Sequence, residues 1–588
     1  MKPISMSDKN LFRLSNPSGS GDKKHIGNLT GASLALAIAE LAQQHNNHTL
    51  LAVPDPQTAL KLLQEIEQFT DQEVALFPDW ETLPYDNFSP HQEIISDRIA
   101  RLYQLPSLTD GITIVPVSTL LQRQSPREFL LQHTLMVKVG DCYSLDKLRI
   151  QLEKSGYRHA DQVFGPGEYA SRGSILDLFP MGSSDPFRID FFDDEIDTIR
   201  TFDPENQRSI EDVEEIRLLP AHEFPTTESA IEDFRIRWRQ RFEARREPES
   251  VYMQVSKGTW PAGIEYWQPL FFDETETLFD YISDGTQLLS VGDIEAAIDT
   301  FLQDVDYRYD QRKVDPLRPL LPPEELWLRK DELFSHFKTL PQAQLSVEPI
   351  VEKAGRTNPD VQPLPELAVQ HQNKEPMAAL RQFSESYAGK IIFSVESEGR
   401  REALLELLQP IKLRPVSHNS FTEALNSTDK FSLILGAAEH GFLFGSEHVA
   451  LICESDLLGD RVIQRRRKDR KTTNSDAVIR NLAELKPGQP VVHIDHGIGR
   501  YIGLQTLEAG GMTTEYVTLE YQNEAKLYVP VASLNLISRY SGGAEEGDFV
   551  GQAAFSTARQ CRDGSLVRAF YRAGAEDGAM AGSAAAGA

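Results

Sequence analysis

The stretch from Pro490 to Tyr540 reads PVVHIDHGIGRYIGLQTLEAGGMTTEYVTLEYQNEAKLYVPVASLNLISRY. Aliphatic and tyrosine residues alternate there with polar residues in runs of about four to eight, a period typical of short β-strands. Glycines at 497, 499, 510 and 511 and the asparagine at 523 separate these runs. The stretch therefore predicts a small all-β module of antiparallel strands, and no catalytic constellation lies inside it.

Three segments of this stretch carry a resemblance to a known family. They are His493-Ile494-Asp495-His496-Gly497, Lys526-Leu527-Tyr528-Val529-Pro530 and Ser538-Arg539-Tyr540. The stretch closely resembles the RNA-polymerase-interacting domain of the transcription-repair coupling factors, a Tudor-like barrel shared with CarD-type transcription regulators. The resemblance implies that this module docks on the β subunit of RNA polymerase.

One strand of the module is the expected contact with the polymerase. Tyr501 to Leu507 has apolar residues at Ile502, Leu504 and Leu507. A strand with an open edge can pair with a partner strand through main-chain hydrogen bonds and a few side-chain anchors. The resemblance places Leu507 at the hydrophobic contact with the polymerase. From the residues alone, a leucine buried in the core of the module is an open alternative.

Length and charge describe a multidomain acidic chain. Its 588 residues are enough for several cores, and 60 basic against 88 acidic residues give a formal charge of -28. Such a charge repels phosphate backbones, so contact with nucleic acid needs a local basic patch or a partner. Three cysteines far apart in sequence fit neither a zinc site nor a disulfide framework. Without a signal peptide or a long apolar run, the chain is predicted to be cytoplasmic with no membrane contact.

The first part of the chain alternates helices and strands. A helical period covers Leu29 to Gln44, strands are predicted at Thr49 to Val53 and Ile112 to Val115, and a second helix runs from Gln57 to Phe69. Strands alternating with helices favour a parallel sheet covered on both faces. The layout is similar to the first RecA-like fold of helicases.

The same region tests whether the fold can hold a nucleotide. A phosphate-binding loop ends in Gly-Lys-Ser/Thr, whose lysine neutralises the phosphates and whose hydroxyl holds magnesium. Here the segment from Leu29 to Leu36 reads LTGASLAL, so that Leu34 and Ala35 stand in place of the lysine and the hydroxyl. We therefore expect no ATPase activity, no catalytic residue and no cofactor. The simplest interpretation of the segment from Leu29 to Leu36 is an ordinary helix N-terminus capped by Thr30.

The family resemblance extends over residues 25 to 546. It rests on PDWETLPYD (78–86), GIEYWQPLFF (263–272) and SVESEGRR (394–401). It implies that the first 350 or so residues form a module like the repair helicase UvrB. The connection from Trp80 to Ser96 is too short for the long aromatic hairpin with which UvrB grips damaged DNA. The resemblance therefore does not imply damage recognition.

An inserted α+β domain is expected to bind the repair protein UvrA. Alternation in PFRIDFFD (186–193) puts Phe187, Ile189 and Phe191 on one face and Arg188, Asp190 and Phe192 on the other. An exposed aromatic beside an arginine is typical of a hot spot at a protein interface. A bulged strand with Phe192 buried is the alternative from the residues alone.

The resemblance places the UvrA contact at Arg172, Arg188 and Phe192, although Arg172 by itself reads as an ordinary loop residue. His440 and His448 flank apolar strands without a partner at ligand spacing, so no metal site is expected.

The resemblance and the composition together divide the chain into eight segments. They are a disordered leader (1–24), the first part of a degenerate RecA-like, UvrB-like α/β fold (25–134), the inserted UvrA-binding domain (135–222), the remainder of the UvrB-like module (223–348), a small α/β domain (349–456), a basic flexible linker (457–485), the Tudor-like RNA-polymerase-interacting domain (486–546) and a disordered tail outside the family pattern (547–588).

The predicted function is that of a non-enzymatic adaptor in transcription-coupled repair. One surface would bind the β subunit of RNA polymerase and another would recruit UvrA. The resemblance implies that ATP and most DNA contacts belong to a translocase motor whose motifs this sequence does not contain. The chain is expected to be a monomer, and the alternative function is an autonomous UvrB-like DNA-damage-binding protein.

Overall fold

The computed structural model describes residues 11–370, 375–459, 490–493, 497–509, 512–521, 526–530 and 537–539. The chain divides into two compact units, Met1–Val462 and Ile463–Ala588. The first unit mixes helices and sheets, and the described part of the second consists of β-strands, as the sequence predicts. Within the described ranges, no helix is long and apolar enough to cross a membrane.

The first unit begins with alternating strands and helices. They are β1 (Lys23–Ile26), α1 (Ser33–His45), β2 (Thr49–Val53), α2 (Pro56–Glu67), β3 (Val74–Leu76), α3 (Gln92–Gln104), β4 (Ile112–Pro116), α4 (Val117–Leu120) and α5 (Arg127–Gln132). Every residue of β2 and β4 is buried, as a strand covered on both faces requires. Helix α2 starts where the Asp55 side chain accepts from Thr58 N and Pro56 supplies a first-turn proline. The strands predicted at 49–53 and 112–115 are confirmed.

A mostly antiparallel sheet follows. Its region contains β5 (Leu135–Lys138), α6 (Leu145–Lys154), β6 (Arg158–His159), β7 (Glu168–Arg172), β8 (Ile175–Leu178), β9 (Phe187–Phe192), β10 (Glu195–Phe202), β11 (Ser209–Asp212) and β12 (Glu215–Leu218). Six strands are ordered β11-β10-β9-β8-β7-β6, and only the edge pair β6–β7 of this sheet is parallel, while β12 pairs with β5. The antiparallel register from Glu215↔Lys138 to Leu218↔Leu135 brings the entry and exit of this domain together. That pairing is what an inserted domain needs, because the chain must return to the sheet it left.

The chain then returns to the first sheet. The next elements are α7 (Glu228–Arg241), α8 (Val251–Ser256), α9 (Leu278–Tyr281), β13 (Gln287–Val291), α10 (Ile294–Arg312), α11 (Lys330–Phe337) and β14 (Gln342–Leu345), with short 3₁₀ turns at Leu105–Ser107, Ile264–Phe271 and Pro323–Glu325. Strands β13 and β14 are formed by the short segments QLLSV and QAQL.

The last part of the first unit forms the small α/β domain. Its elements are β15 (Arg356–Thr357), β16 (Val361–Gln362), α12 (Ala378–Ser386), β17 (Lys390–Val395), α13 (Glu398–Leu408), β18 (Val416–Ser417), α14 (Phe421–Asn426), β19 (Phe431–Leu435), β20 (Phe442–Phe444), β21 (Val449–Cys453) and α15 (Glu454–Leu458), with a 3₁₀ turn at Gln409–Ile411. Six of its strands are ordered β16-β20-β21-β17-β19-β18. The remaining strand, β15, belongs to the first sheet instead.

The first sheet has seven parallel strands in the order β15-β1-β14-β13-β2-β4-β3. Strands from before and after the inserted domain therefore interleave, and the domain emerges from a single continuous sheet. This arrangement fits the parallel α/β fold that the sequence predicts.

Helix α1 lies between this sheet and the small domain. All residues from Ser33 to Ala42 are buried, including both faces of the helix. Its apolar side chains share one core with strands of the first sheet and with residues of the small domain such as Phe421, Phe442 and Phe444. A helix that is apolar on every side needs a second cover, and the small domain provides it.

The predicted leader is wrong over residues 11–24. Leu11, Phe12 and Leu14 are buried in the core shared with α1, and the Phe12 ring meets the edge of Phe444 at 5.0 Å between centroids. The Glu40 carboxylate accepts hydrogen bonds from Leu11 N at 2.7 Å and Phe12 N at 3.2 Å. Residues 1–10 of the predicted leader lie outside the described residues.

Glu40 should make the stability of this unit depend on pH. Burial outweighs the two backbone hydrogen bonds and raises the pKa of Glu40 to about 7. Because the folded state then binds more protons than the unfolded state between about pH 4.5 and 7, the free energy of unfolding should fall as the pH rises through this window, by up to roughly 3 kcal/mol. Glu40→Gln removes the titration, so its stability relative to the original chain should rise from pH 5 to pH 8.

Denaturant unfolding at several pH values measures this effect. Glu385→Gln, at an exposed position of α12, is the matched control and should show no such trend. If the stability curves of the Glu40→Gln variant and the original chain run parallel from pH 5 to pH 8, the carboxylate does not titrate in that window.

The second unit is an antiparallel sheet. Its strands are β22 (Pro490–His493), β23 (Gly497–Ala509), β24 (Met512–Glu520), β25 (Lys526–Pro530) and β26 (Ile537–Arg539), in the order β25-β24-β23-β22-β26. Val491, Tyr501, Val517, Leu519 and Val529 form its core. The predicted all-β module is confirmed. Most of the predicted linker (457–485), from residue 460 on, and the predicted tail (547–588) lie outside the part that the structure describes.

Candidate partner-binding surfaces

The six-stranded sheet of the inserted domain has a buried face and an outer face. Along β9, Ile189 and Phe191 are buried, whereas Phe192 has 72% of its surface exposed. The strand keeps a regular period of two, and the register irregularity lies on its neighbour, between Ile196 and Thr198 of β10. The alternative of a bulged strand with Phe192 buried is therefore wrong.

The three residues predicted for UvrA binding lie on this outer face. Arg172 of β7 pairs with Ile175 of β8, which pairs with Asp190 of β9, and residues opposite one another in a sheet share a face. Arg188 and Phe192 lie two positions to either side of Asp190, so they share that face as well. The fold thus brings together residues from two strands that are separated by up to 20 positions in sequence.

Arg188 is not a free surface cation. Its Nε and Nη2 donate to the two carboxylate oxygens of Asp177 at 2.7 and 2.9 Å, and its Nη1 donates to Gln207 O at 3.1 Å. The guanidinium also lies 4.9 Å from the centre of the Phe202 ring. The hydrogen bonds with Asp177 raise the pKa of Arg188. This side chain is held in place before any partner arrives, and its charge is paired.

Arg172 and Phe192 are more accessible. Arg172 is exposed, with Nη2 donating to the carbonyl oxygen of Asp161 at 2.6 Å. Phe192 precedes the two-residue turn to β10, in which Asp193 has a left-handed φ of 53°. Asp194 and Glu195 follow, so the exposed ring sits at the tip of an acidic hairpin. A partner suited to this tip would offer an apolar pocket with a basic rim.

Asp177 and Phe202 are parts of this face that the sequence did not single out. Asp177 is buried between its neighbours and faces Arg188 across the β8–β9 pair. In the sequence, Asp177 is the single acidic residue in the apolar run Ile175-Leu176-Asp177-Leu178, and this could have marked it as a residue that needs a partner. Only the strand register shows which arginine it meets.

The degenerate phosphate loop follows β1 and leads into α1. Thr30 does not cap this helix, which corrects the expectation: the N-cap is Ala32, without a side-chain hydrogen bond. Instead, Ser33 Oγ donates to Thr30 O at 2.7 Å. Leu34 and Ala35 are buried. A loop of this kind offers backbone amides but no cation.

The residues predicted for polymerase binding lie on β23. Residues 500–509 of this strand pair with β24, and β22 covers its other edge only up to Arg500. From Tyr501 on, no described strand pairs with that second edge. Ile502 is 39% exposed, while Leu504 and Leu507 are placed by register opposite Val517 and Thr514. The side chains of Leu504 and Leu507 lie outside the described residues.

No metal centre forms in the described ranges. No group of three or more His, Cys, Asp and Glu residues there could hold an ion. His440 Nδ1 lies 3.4 Å from Asp456 Oδ1. Cys142 and Cys453 are free thiols, exposed and buried respectively.

Three family descriptions match parts of the chain. Residues 135–224 match the UvrB interaction domain, residues 383–457 match the D3 domain of MFD, and residues 485–541 match the CarD-like/TRCF RID domain. The first match covers the sheet that carries Arg172, Arg188 and Phe192. The third covers the five-stranded sheet of the second unit.

Over most of its length, the chain is similar to bacterial proteins that share one description. The chain is 56% identical over 553 residues to the transcription-repair-coupling factor of Escherichia coli, covering 93% of this chain and 48% of that protein. Identity to the Haemophilus influenzae protein of the same name is 50%, over 94% of this chain and 48% of the relative. The Bacillus subtilis protein is 26% identical, over 88% of this chain and 45% of the relative. The chain thus spans about half the length of the curated relatives it matches.

Proposed function

Because the chain belongs to the transcription-repair-coupling factor family and corresponds to its N-terminal part, we propose that it is a two-sided adaptor between RNA polymerase and UvrA. The outer face of the inserted domain would recruit UvrA, and the five-stranded sheet of the second unit would dock on the polymerase. The observation that carries the proposal is the exposed Phe192 within the segment that matches the UvrB interaction domain.

The chemistry of the outer face supports recruitment of a protein. Phe192 offers a large apolar anchor, a residue type that dominates interface energetics when it enters a pocket. Arg172 can exchange its single hydrogen bond to a backbone carbonyl for one to a partner. Arg188 contributes differently, because its pairing with Asp177 holds the sheet surface rigid beside the anchor. A preordered surface loses less entropy on binding.

The edge of β23 that no described strand covers beyond Arg500 supports docking on the polymerase. Strand addition to this edge would form main-chain hydrogen bonds, and apolar residues along the strand would add side-chain contacts. The match to the CarD-like/TRCF RID domain supports this assignment. We propose the β subunit as the docking site and a Tudor-like barrel as the complete fold of this unit.

We propose that this part of the family has no catalytic activity and no cofactor. The loop before α1 lacks the lysine and hydroxyl that a nucleoside triphosphate and its magnesium ion require. DNA would be engaged mainly by the translocase half of the family. We place the chain in the cytoplasm as a monomer.

An autonomous UvrB-like damage-binding protein is the less favoured function. Between β3 and α3, where such a protein would need a long hairpin, residues 77–91 contain no strand. The formal charge of -28 also opposes binding to bare DNA.

Leu507→Arg should abolish capture of purified RNA polymerase by the chain. At an interface, the new charge would be buried against the partner, while the thermal stability of the second unit would change little. Tyr528→Arg, at an exposed position of β25 on the opposite edge of the same sheet, is the matched control and should leave capture intact. Pull-down and thermal unfolding are measured on the same preparations.

Two other outcomes are informative. If Leu507→Arg unfolds the second unit, Leu507 is a core residue and the contact lies elsewhere on β23. If the variant is folded and still captures polymerase, the proposed docking edge is wrong.

A further inference from the structure

The loop that would hold phosphates is in contact with the small α/β domain. In nucleotide-binding folds, the backbone amides at the start of the helix after the first strand point at the phosphates. The corresponding loop here is residues 27–32, between β1 and α1. Facing it is a second loop, residues 436–441, which connects β19 and β20 and is called the plug loop below.

Peptide carbonyls of the plug loop lie against the start of helix α1. The amide of Ala32 donates to His440 O at 2.8 Å. A Cβ atom added to Gly31, whose φ is 57°, would lie 2.4 Å from Gly441 O and 2.8 Å from His440 O. Two carbonyl oxygens therefore press against the helix start, and glycine at 31 is required both by conformation and by the close approach.

The plug loop is fixed from behind by its own domain. The Asp456 carboxylate accepts from Gly441 N and from Cys453 N, both at 2.8 Å. Gly441 itself has no room for a side chain, because an added Cβ would lie 2.0 Å from Leu451 O. Gly31 thus allows the loop before α1 to approach the plug loop, and Gly441 allows the plug loop to pack against β21 of its own domain.

Helix α2 holds the loop from the side. Lys61 Nζ forms an ion pair with Glu439 Oε2 at 2.6 Å, and Glu439 N donates to Glu65 Oε1 at 3.3 Å. Just after the C-terminal end of α2, the ring of Phe69 packs edge to face on the ring of Phe421, with 5.0 Å between the ring centroids. Polar and apolar contacts together connect the small domain to the first sheet.

We propose that the plug loop closes the former nucleotide site, and that the Ala32 amide at the start of α1 now clamps two domains together by binding a peptide carbonyl. A peptide carbonyl is neutral, so the amide that holds it needs no lysine beside it. This explains why Leu34 and Ala35 can be apolar and fully packed where a phosphate loop has a cation and a hydroxyl. Two features then exclude a nucleotide: the plug loop fills the site, and the lysine and hydroxyl side chains are missing.

Hydrogen–deuterium exchange of the whole chain tests this proposal. Gly31→Ala pushes a methyl group against the plug loop, and Lys61→Glu places a third acid beside Glu439 and Glu65. Both should speed exchange in peptides covering residues 31–34 and 437–442, by at least about threefold for Lys61→Glu, because local opening becomes easier. Gly21→Ala is the control, since Gly21 has a φ of 77° but nothing within 4 Å of an added Cβ.

Lys61 is half exposed, so Lys61→Glu keeps the test valid even if Gly31→Ala fails to fold. Unchanged exchange in both peptides of a folded Lys61→Glu variant would overturn the proposal. So would binding of magnesium-ATP to the original chain that slows exchange at residues 31–34. Faster exchange in the variants, together with no effect of magnesium-ATP on the original chain, supports it.

Discussion

Phe192→Ala should weaken the binding of UvrA by about 2 kcal/mol or more, roughly 30-fold in the dissociation constant, while the free energy of unfolding stays nearly unchanged. The ring makes an apolar anchor at the tip of the β9–β10 hairpin and is 72% exposed, so its removal leaves no cavity in the folded chain. Titration calorimetry with purified UvrA and thermal unfolding measure the two quantities.

The matched control for this variant is Tyr307→Ala, an aromatic of 65% exposure on α10 in another part of the first unit. It should leave UvrA binding unchanged. If the Phe192→Ala variant and the original chain bind UvrA with equal affinity, Phe192 is not part of the interface.

Arg188→Ala is expected to behave differently from Phe192→Ala. It should lower both UvrA affinity and stability, because Asp177 would remain nearly buried without its partner. Because these two residues are paired, Arg188 differs from Phe192 in that its removal affects the fold as well as the proposed interface. Asp177→Ala tests the distinction, since it should reproduce the loss of stability.

Arg98→Met should destabilise the first unit by about 3 to 5 kcal/mol. Arg98 Nε donates to Glu223 Oε1 at 2.8 Å, and both side chains are almost completely buried, at 1% and 2% exposure. Its other nitrogens donate to Pro78 O at 2.8 Å and Gln124 Oε1 at 3.2 Å, while Trp80 Nε1 donates to Glu223 Oε2 at 3.0 Å. Removing the cation leaves the Glu223 carboxyl group buried without its ionic partner.

This network connects helix α3 to Glu223, in the segment that follows β12, the last strand of the inserted domain. We therefore expect the variant to loosen the position of that domain as well as to unfold at lower denaturant concentration. Arg101→Met on the same helix is the control, because its partner Glu73 is largely exposed. The control should cost less than about 1 kcal/mol. Similar midpoints for the two variants in urea would contradict the assigned role of the buried pair.

Local periodicity was sufficient for some parts of the fold. The period of two in residues 187–192 correctly placed Ile189 and Phe191 inside and Phe192 outside, because alternation depends only on the strand itself. The same rule could not reveal that Arg188 is paired with Asp177. That contact depends on the register between β8 and β9, which no single strand encodes.

Long-range packing accounts for the parts that the sequence did not predict. Leu11, Phe12 and Leu14 read as a polar leader with scattered apolar residues, yet they complete a core with Phe442 and Phe444 over 400 positions away. The apolar residues on every side of α1 were a usable signal of a second cover, although they did not show that the small domain supplies it. Strands β13 and β14 were not predicted, because segments as short as QLLSV and QAQL are ambiguous between strand and helix.

A bridging measurement tests the adaptor proposal most directly. RNA polymerase is immobilised, purified UvrA is passed over it with and without the chain, and the retained UvrA is quantified by surface plasmon resonance. UvrA should be retained only when the chain is present, and Phe192→Ala should abolish this retention while the chain itself still binds the polymerase. Retention of UvrA that does not depend on the chain, or that survives in the Phe192→Ala variant, would contradict the proposed coupling.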